Sequence, residues 1–283
     1  MKTKNCRHTL CISRFFGKIR RKISRQDACG DLFSVSMVIL AVEELKNKVF
    51  SLDQVLERFH DGQCVLFGDM QGGMTAEEII DGLYEKGVKD ITAVALDSGQ
   101  PGMGIGRLVE NRQISRILTS HIGLNPFSRE LMLSGEMEVE FVPQGTFAER
   151  IRAGGYGLGG VLTPTGLGTS FAEGKPVINV DGRDFLLEKP IHGDIALLKA
   201  TKADRAGNLQ FRLTSICCQD YMAMAADLVI VEVEELVEIG ELSPDEIDVP
   251  GAVVDMLYVK QGEKRPLPLS WQRLKAETEG GAD

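Results

Sequence analysis

The feature that most constrains this chain is a repeated alternation between short apolar runs and segments with helical spacing. Leu52, Val55, Leu56 and Phe59 fall on one helical face. Asp61-Gly62 then turns into Cys64-Val65-Leu66-Phe67, a run short enough for a buried strand. Thr75-Ala76-Glu77-Glu78 has the spacing of a capping box, Ile79, Ile80 and Leu83 continue a helix, and Gly87 ends it. Residues 91–96 are the next strand. Strand, helix and strand in this order form a βαβ unit, whose crossover is right-handed in a parallel sheet. The pattern goes on with a strand over 116–120, a helical turn or two over 129–133, a strand over 139–142, and a helix over 146–152 opened by Thr146. Further runs rich in β-branched residues lie at 177–180, 195–200 and 228–233. This predicts an α/β fold, a mainly parallel sheet flanked by helices. No internal repeat is present.

Composition narrows the class. Hydrophobic residues make up 43% and charged residues 26% of 283, enough apolar side chain for a sizeable core. No run approaches the ~18 apolar residues that span a bilayer, so no membrane role is expected. Residues 1–26 hold nine basic side chains and no acid, leaving 23 basic against 41 acidic residues in the remainder. An acidic body argues against nucleic acid as the main partner, since phosphate neutralisation needs a cationic face. The basic head reads as a tail upstream of the domain, with Met37 an alternative start. Read instead as a transit peptide, it would make an otherwise cytoplasmic chain organellar. The expected organisation is a basic extension over 1–45, a domain over 46–260 and a C-terminal tail over 261–283. Six cysteines show no C-x-x-C pair, which fits a reduced chain, and no cysteine sits in an evident activating context. Four scattered histidines lack metal-ligand spacing, so no metal is expected.

Three segments are candidates for chemistry. Gly68-Asp69-Met70-Gln71-Gly72-Gly73 lies between a strand and a helix start, where backbone N–H groups suit an anion or simply make a tight turn. It is neither a G-x-G-x-x-G nor a Walker loop. Residues 154–168 contain seven glycines in fifteen (Gly154, Gly155, Gly157, Gly159, Gly160, Gly166, Gly168), too many for a regular helix. This predicts a loop, packed through Leu158, Val161 and Leu162. Between the two clusters, Pro143-Gln144-Gly145-Thr146 runs from a strand end into a helix. Gln144 is there either a candidate oxyanion donor at the sheet's carboxyl edge or a surface glutamine at a helix start. There is no G-x-S-x-G nucleophile, and Glu232, Glu234 and Glu235 read as the solvated end of a strand.

Taken together, several segments resemble the α subunits of class I CoA transferases, the acetate/3-oxoacid type. They are 119–126 (Thr-Ser-His-Ile-Gly-Leu-Asn-Pro), 134–139, Pro143-Gln144-Gly145-Thr146 through Arg152, and the glycine-rich run ending Thr163-Pro164-Thr165-Gly166-Leu167-Gly168-Thr169. Residues 202–209, 232–240 and 250–253 follow in the same order, so the resemblance is collinear from about Leu52 to Val259. It implies a CoA-transferase α-subunit fold and a ping-pong transfer of CoA from an acyl-CoA to a short-chain carboxylate. It also implies that Gln144 donates to the oxyanion of the tetrahedral intermediate. Gly68, Gly72, Gly73, Asp97 and the glycines Gly154, Gly155, Gly157, Gly159 and Gly160 would shape the site for acyl-CoA and carboxylate. No permanently bound cofactor is implied; CoA is substrate. The nucleophilic glutamate belongs to a separate β subunit in an α2β2-like assembly. Alternative readings are a subunit of an acyl-CoA hydrolase, or a diverged, non-catalytic stabilising subunit. The sequence departs from the family pattern where Asp69 and Met70 replace a Gly-Phe pair and Ala76 a Pro. Leu96 stands for an Asn, and Ile216-Cys217-Cys218-Gln219 stands where R-N-F-N is usual.

Overall fold

The computed structural model describes residues 47–70 and 74–263; the expected extension over 1–45 and most of the expected C-terminal tail lie outside them, as do Gly72 and Gly73. The helices are α1 (Leu52–Leu56), α2 (Glu77–Lys86), α3 (Ile105–Glu110), α4 (Pro126–Ser134), α5 (Gln144–Gly155) and α6 (Gln219–Ala225). The strands are β1 (Cys64–Phe67), β2 (Ile91–Ala95), β3 (Ile114–Thr119), β4 (Glu138–Phe141), β5 (Val161–Thr163), β6 (Val177–Val180), β7 (Arg183–Glu188), β8 (Gly193–Asp204), β9 (Leu209–Gln210), β10 (Ala226–Val237) and β11 (Met256–Val259).

The main sheet runs β11-β10-β8-β1-β2-β3-β4, with β9 added to β8. Every neighbouring pair along that path is parallel, and only β9 is antiparallel. Both faces are covered, which is why the strands read as continuous apolar runs rather than alternating ones. Leu66, Val94, Leu118, Ala196, Leu198 and Val231 point to one core, closed by Phe147 and Ile151 of α5 and Met222 of α6. Val65, Phe67, Ile91, Ala93, Ile117 and Leu197 point to the other, closed by α1, α2, α3 and Leu131 of α4. Successive residues of β1 thus feed opposite cores, as the strand period requires. Among the described residues no helix is long and apolar enough to cross a membrane.

Local signals set several boundaries. Ser51 caps α1 with a reciprocal bond to Gln54. Asn125 caps α4 with Pro126 at its first position, and Gly135 ends it in the left-handed conformation. Gly87 ends α2 the same way. The expected capping box at Thr75 is not formed. The helix cap is Ala76, without a side-chain bond, and the carboxylate of Glu232 on β10 accepts from the N–H of Glu78 (2.8 Å) and of Ile79 (3.3 Å) instead. Glu232 is therefore fully buried in mid-strand and not at a solvated strand end, though Glu234 and Glu235 are exposed. Thr146 does not open α5, which starts at Gln144.

The glycine-rich stretch is also not a loop throughout. Gly154 and Gly155 form the last turn of α5, because other parts of the chain pass too close for a side chain. A Cβ on Gly154 would overlap the Ile191 carbonyl, and one on Gly155 would come within 2.6 Å of Met224 Cβ on α6. Close packing thus outweighs the helix propensity penalty of glycine. Beyond it, β5, β6 and β7 form a separate antiparallel sheet in the order β5-β7-β6. Leu158 and Leu162, expected to pack, are exposed. Residues 177–180 are a strand as expected, but in this small sheet and exposed along their length.

Candidate functional site

Chain order fixes where a crevice opens. From β1 the chain lays β2, β3 and β4 to one side, while β8, β10 and β11 occupy the other. The carboxyl ends of β1 and β8 therefore flank the point where the winding reverses, where open parallel sheets place ligands. Gly68 follows β1 there; its N–H donates to the Leu197 carbonyl at 2.9 Å. Asp97 follows β2, is buried, bridges to His121 beyond β3, and accepts from the Gly99 N–H at 2.8 Å through Oδ1. Ser120 Oγ donates to the Leu96 carbonyl at 2.6 Å, tying the ends of β2 and β3 together.

Gln219, the first residue of α6, lays its side chain against Gly68 at the end of β1. Its Oε1 accepts from the Lys199 N–H of β8 at 2.8 Å, and its Nε2 donates to the Ser215 carbonyl at 2.6 Å. A side chain on Gly68 would overlap Gln219 Oε1 and lie 2.6 Å from its Cδ. Gly68 is therefore the residue that lets this glutamine lie across the strand end.

Immediately before it stand Cys217 and Cys218, both half-buried. Cys218 has φ +65°, the left-handed region that non-glycine residues seldom occupy. Its thiol donates to the Cys217 sulfur, and this lowers the Cys217 pKa to about 7 against burial and the charges of Asp97 and Asp220. The same contact, with burial, pushes the Cys218 thiol up. Cys64 is the ordinary case for comparison: burial, then Asp194, raises it to about 11. The contact thus lowers the pKa of one thiol of the pair and raises that of the other. The cause is a neighbour-to-neighbour hydrogen bond that composition does not reveal.

Gln144 is exposed, at the start of α5 and the carboxyl end of edge strand β4. Gly145 beside it has open space where a side chain would project. Arg150 fixes this helix: Nη1 bonds Glu140 of β4 at 2.8 Å and Nε the Lys189 carbonyl at 2.8 Å. Burial works against the Glu140 charge, but the guanidinium groups of Arg150 and Arg116 hold its pKa below the usual carboxylate range.

Of the residues singled out from sequence, the structure brings Gly68 and Asp97 to one crevice. Gln144 stands at the same edge of the sheet but three strand spacings from β1, about 14 Å at ~4.8 Å each. Gly154 and Gly155 end α5 roughly 16 Å down its axis from Gln144 at ~1.5 Å per residue. They pack against Ile191, which precedes β8, and against the end of α6, so they face the amino edge. Gly157, Gly159 and Gly160 continue from there into β5. Within this chain Gly154 and Gly155 thus lie toward the amino edge, apart from Gly68 at the carboxyl edge. Sequence reasoning marked Ile216-Cys217-Cys218-Gln219 as a departure in a stretch that faces the site, but did not pair Gln219 with Gly68, which the structure does.

The family model described as Coenzyme A transferase matches residues 50–260. The alpha chain of the acetate CoA-transferase of Escherichia coli K12 is 44% identical over 220 residues, covering 78% of this chain and 100% of that one. The alpha chain of the acetoacetyl-CoA:acetate/butyrate CoA transferase of Clostridium acetobutylicum is 39% identical over 213 residues, covering 75% and 98%. Among solved structures, the thioester complex of the acyl-CoA transferase YdiF from E. coli O157:H7 superposes with a TM-score of 0.70 at 20% identity. It covers 79% of this chain, which spans about half (50%) of that longer one; at this identity the likeness shows the fold alone.

Proposed function

This chain belongs to the coenzyme A transferase family, and from that premise we propose that it is the α-type subunit of a heteromeric enzyme that moves CoA from an acyl-CoA to a short-chain carboxylate. Its partner is a β subunit, in an α2β2 assembly within the cytoplasm, and the attacking glutamate belongs to that partner. CoA enters as substrate and no cofactor is held between turnovers.

Gln144 is the oxyanion donor. Attack by a carboxylate on a thioester carbonyl puts negative charge on the former carbonyl oxygen, and a preset amide N–H lowers the energy of that state. The observation that carries this reading is the exposure of Gln144 at the first position of a 12-residue helix on the edge strand. An edge position leaves one side of the amide open to a second subunit, and the positive end of the helix dipole favours a developing anion. Gly68 and Asp97 shape the acyl-CoA site at the winding reversal, with Gln219 laid against Gly68.

The test is co-expression with the β-type partner and assay of CoA transfer from butyryl-CoA to acetate. Gln144→Ala is expected to lower kcat by roughly 10²–10³; wild-type turnover in that variant refutes the assignment. The departures at Asp69 and Leu96 favour a second reading, a stabilising subunit without turnover, which a stable but inactive complex would support. CoA release without any acceptor would instead indicate a hydrolase.

A further inference from the structure

The small sheet β5-β7-β6 presents a surface that the transfer reaction above does not use. Among the described residues its outer strand β6 pairs with β7 alone, and all four of its residues are exposed. The register places Leu162 beside Leu187, Ile178 beside Phe185 and Val180 beside Arg183 on one face, while Leu186 and Glu188 on the opposite face are buried. The face turned away from the body is therefore apolar at Leu162, Ile178, Val180, Phe185 and Leu187, the reverse of the usual polar-out alternation. The outer edge of β6 is a second observation. Leu187 N–H donates to the Pro176 carbonyl at 2.9 Å, so Pro176, and by alternation Ile178 and Val180, turn their backbone groups toward β7. Val177 and Asn179 turn theirs outward, where no described strand receives them. Native edge strands are blunted by a charge, a proline or a bulge. Val177-Ile178-Asn179-Val180 has none of these, and its register with β7 is unbroken.

We propose that β6 is a self-pairing strand that joins two copies of this chain, antiparallel, across a twofold axis at Ile178. In that register Val177 of each copy lies opposite Asn179 of the other, and the outward N–H and carbonyl groups of both residues find partners. Ile178 meets Ile178 of the second copy on the apolar face, which then runs on from one sheet into the other. Lys175, just before β6, comes beside Asp181 in the turn just after it, so the two ends of the strand are complementary in charge. An axis centred on Asn179 would instead set Val177 against Asp181 and lose that charge pair. This self-complementarity singles out a second copy as the occupant, and the resulting contact is closed, leaving no further edge of β6 to pair. The proposal rests on the α2β2 reading for its stoichiometry and names the surface at which the two α-type chains meet. It does not depend on the transfer chemistry.

The test uses the full chain assembled with its β partner. Ile178→Cys under mild oxidation is expected to give a disulfide between two copies of this chain. Directly opposed residues of a non-hydrogen-bonded pair have Cα atoms about 4.5 Å apart, within disulfide reach. Peptide mass spectrometry maps the bond to position 178 in both chains and so separates it from bonds of the native cysteines. Val180→Cys should form no such bond, because its two copies stand about 13 Å apart along the strands. Ile178→Lys sets like charges on the axis and is expected to shift the native mass from α2β2 to αβ. Mixing it with the Ile178→Glu chain restores α2β2, which a folding defect would not allow. A bond from position 178 to the β chain, no bond at all in an α2β2 complex, or an unchanged native mass in Ile178→Lys overturns the proposal and leaves the α2β2 reading standing. A wild-type complex that is αβ refutes both. Butyryl-CoA to acetate transfer in the same preparation reads the catalytic function separately: the expected disulfide without turnover supports the strand and refutes the transferase reading.

Discussion

Gly68→Ala is the sharpest test of how the crevice is built. Gly68 has no left-handed φ, so alanine meets no backbone strain there and the whole effect is one of volume. The added methyl would overlap Gln219 Oε1 and lie 2.6 Å from Cδ and 2.9 Å from Cγ, so the side chain must leave its place. It then gives up the 2.8 Å bond from Lys199 N–H and the 2.6 Å bond to the Ser215 carbonyl. Two such bonds are worth roughly 1–3 kcal/mol together. Overpacking a filled site adds about 1–3 kcal/mol. A loss of about 3 kcal/mol corresponds to a Tm lower by roughly 6–12 °C for a domain of this size. The assay is urea and thermal denaturation followed by circular dichroism, on the single variant, on Gln219→Ala and on the double variant. Because Gln219→Ala vacates the space that the methyl needs, the double variant should be more stable than the two single losses predict, by about 1–3 kcal/mol. A Gly68→Ala protein within about 0.5 kcal/mol of wild type, or strictly additive losses, would refute the packing argument.

Other expectations concern the far side of the sheet. Glu232→Ala should cost about 3–5 kcal/mol, because it removes the cap on α2 and the buried partner of Lys199 at 3.2 Å. Glu234→Ala, which removes an exposed partner of the same lysine at 3.5 Å, should cost less than about 1 kcal/mol; equal losses in urea denaturation would contradict this. Glu78 supplies a pH dependence. Burial raises its pKa, but donation from Gln261 N–H, Tyr258 OH and Gly262 N–H, with the charge of Lys260, brings the net value below normal. A depressed folded pKa means stability that is complete above the ordinary carboxylate pKa and lost as pH falls through the folded value. Glu78→Gln should therefore flatten the acid limb of the stability curve, and an unchanged acid limb would show that the carboxylate is not linked to folding.

Much of the architecture was legible because it rests on short-range rules. The runs at 64–67, 91–96 and 228–233 had to be strands buried on both faces, and Gly87 had to end a helix. The α/β class and its parallel sheet follow from that alternation, and the collinear segments from Leu52 to Val259 carried the family. Elements with weaker local signals were not legible. The helix Ile105–Glu110 lies among glycines, and Arg183–Glu188 is a strand through pairing on both sides, with Val177–Val180 and with Val161–Thr163. Boundaries at 75–78 and 154–155 were misread because distant groups decide them. A carboxylate from β10 caps α2, and the Ile191 carbonyl excludes any side chain at Gly154. The sequence by itself determined the periodicities, the glycine stops and the Pro-Gln-Gly segment at a helix start, since each depends on residues a few positions apart. Only the tertiary structure decided that Gly68 receives Gln219, that Asp97 acts on Cys217 and that Gln144 stands open at the helix start beyond an edge strand. Those relations join residues up to about 150 positions apart, and only the order of strands in the sheet brings them together.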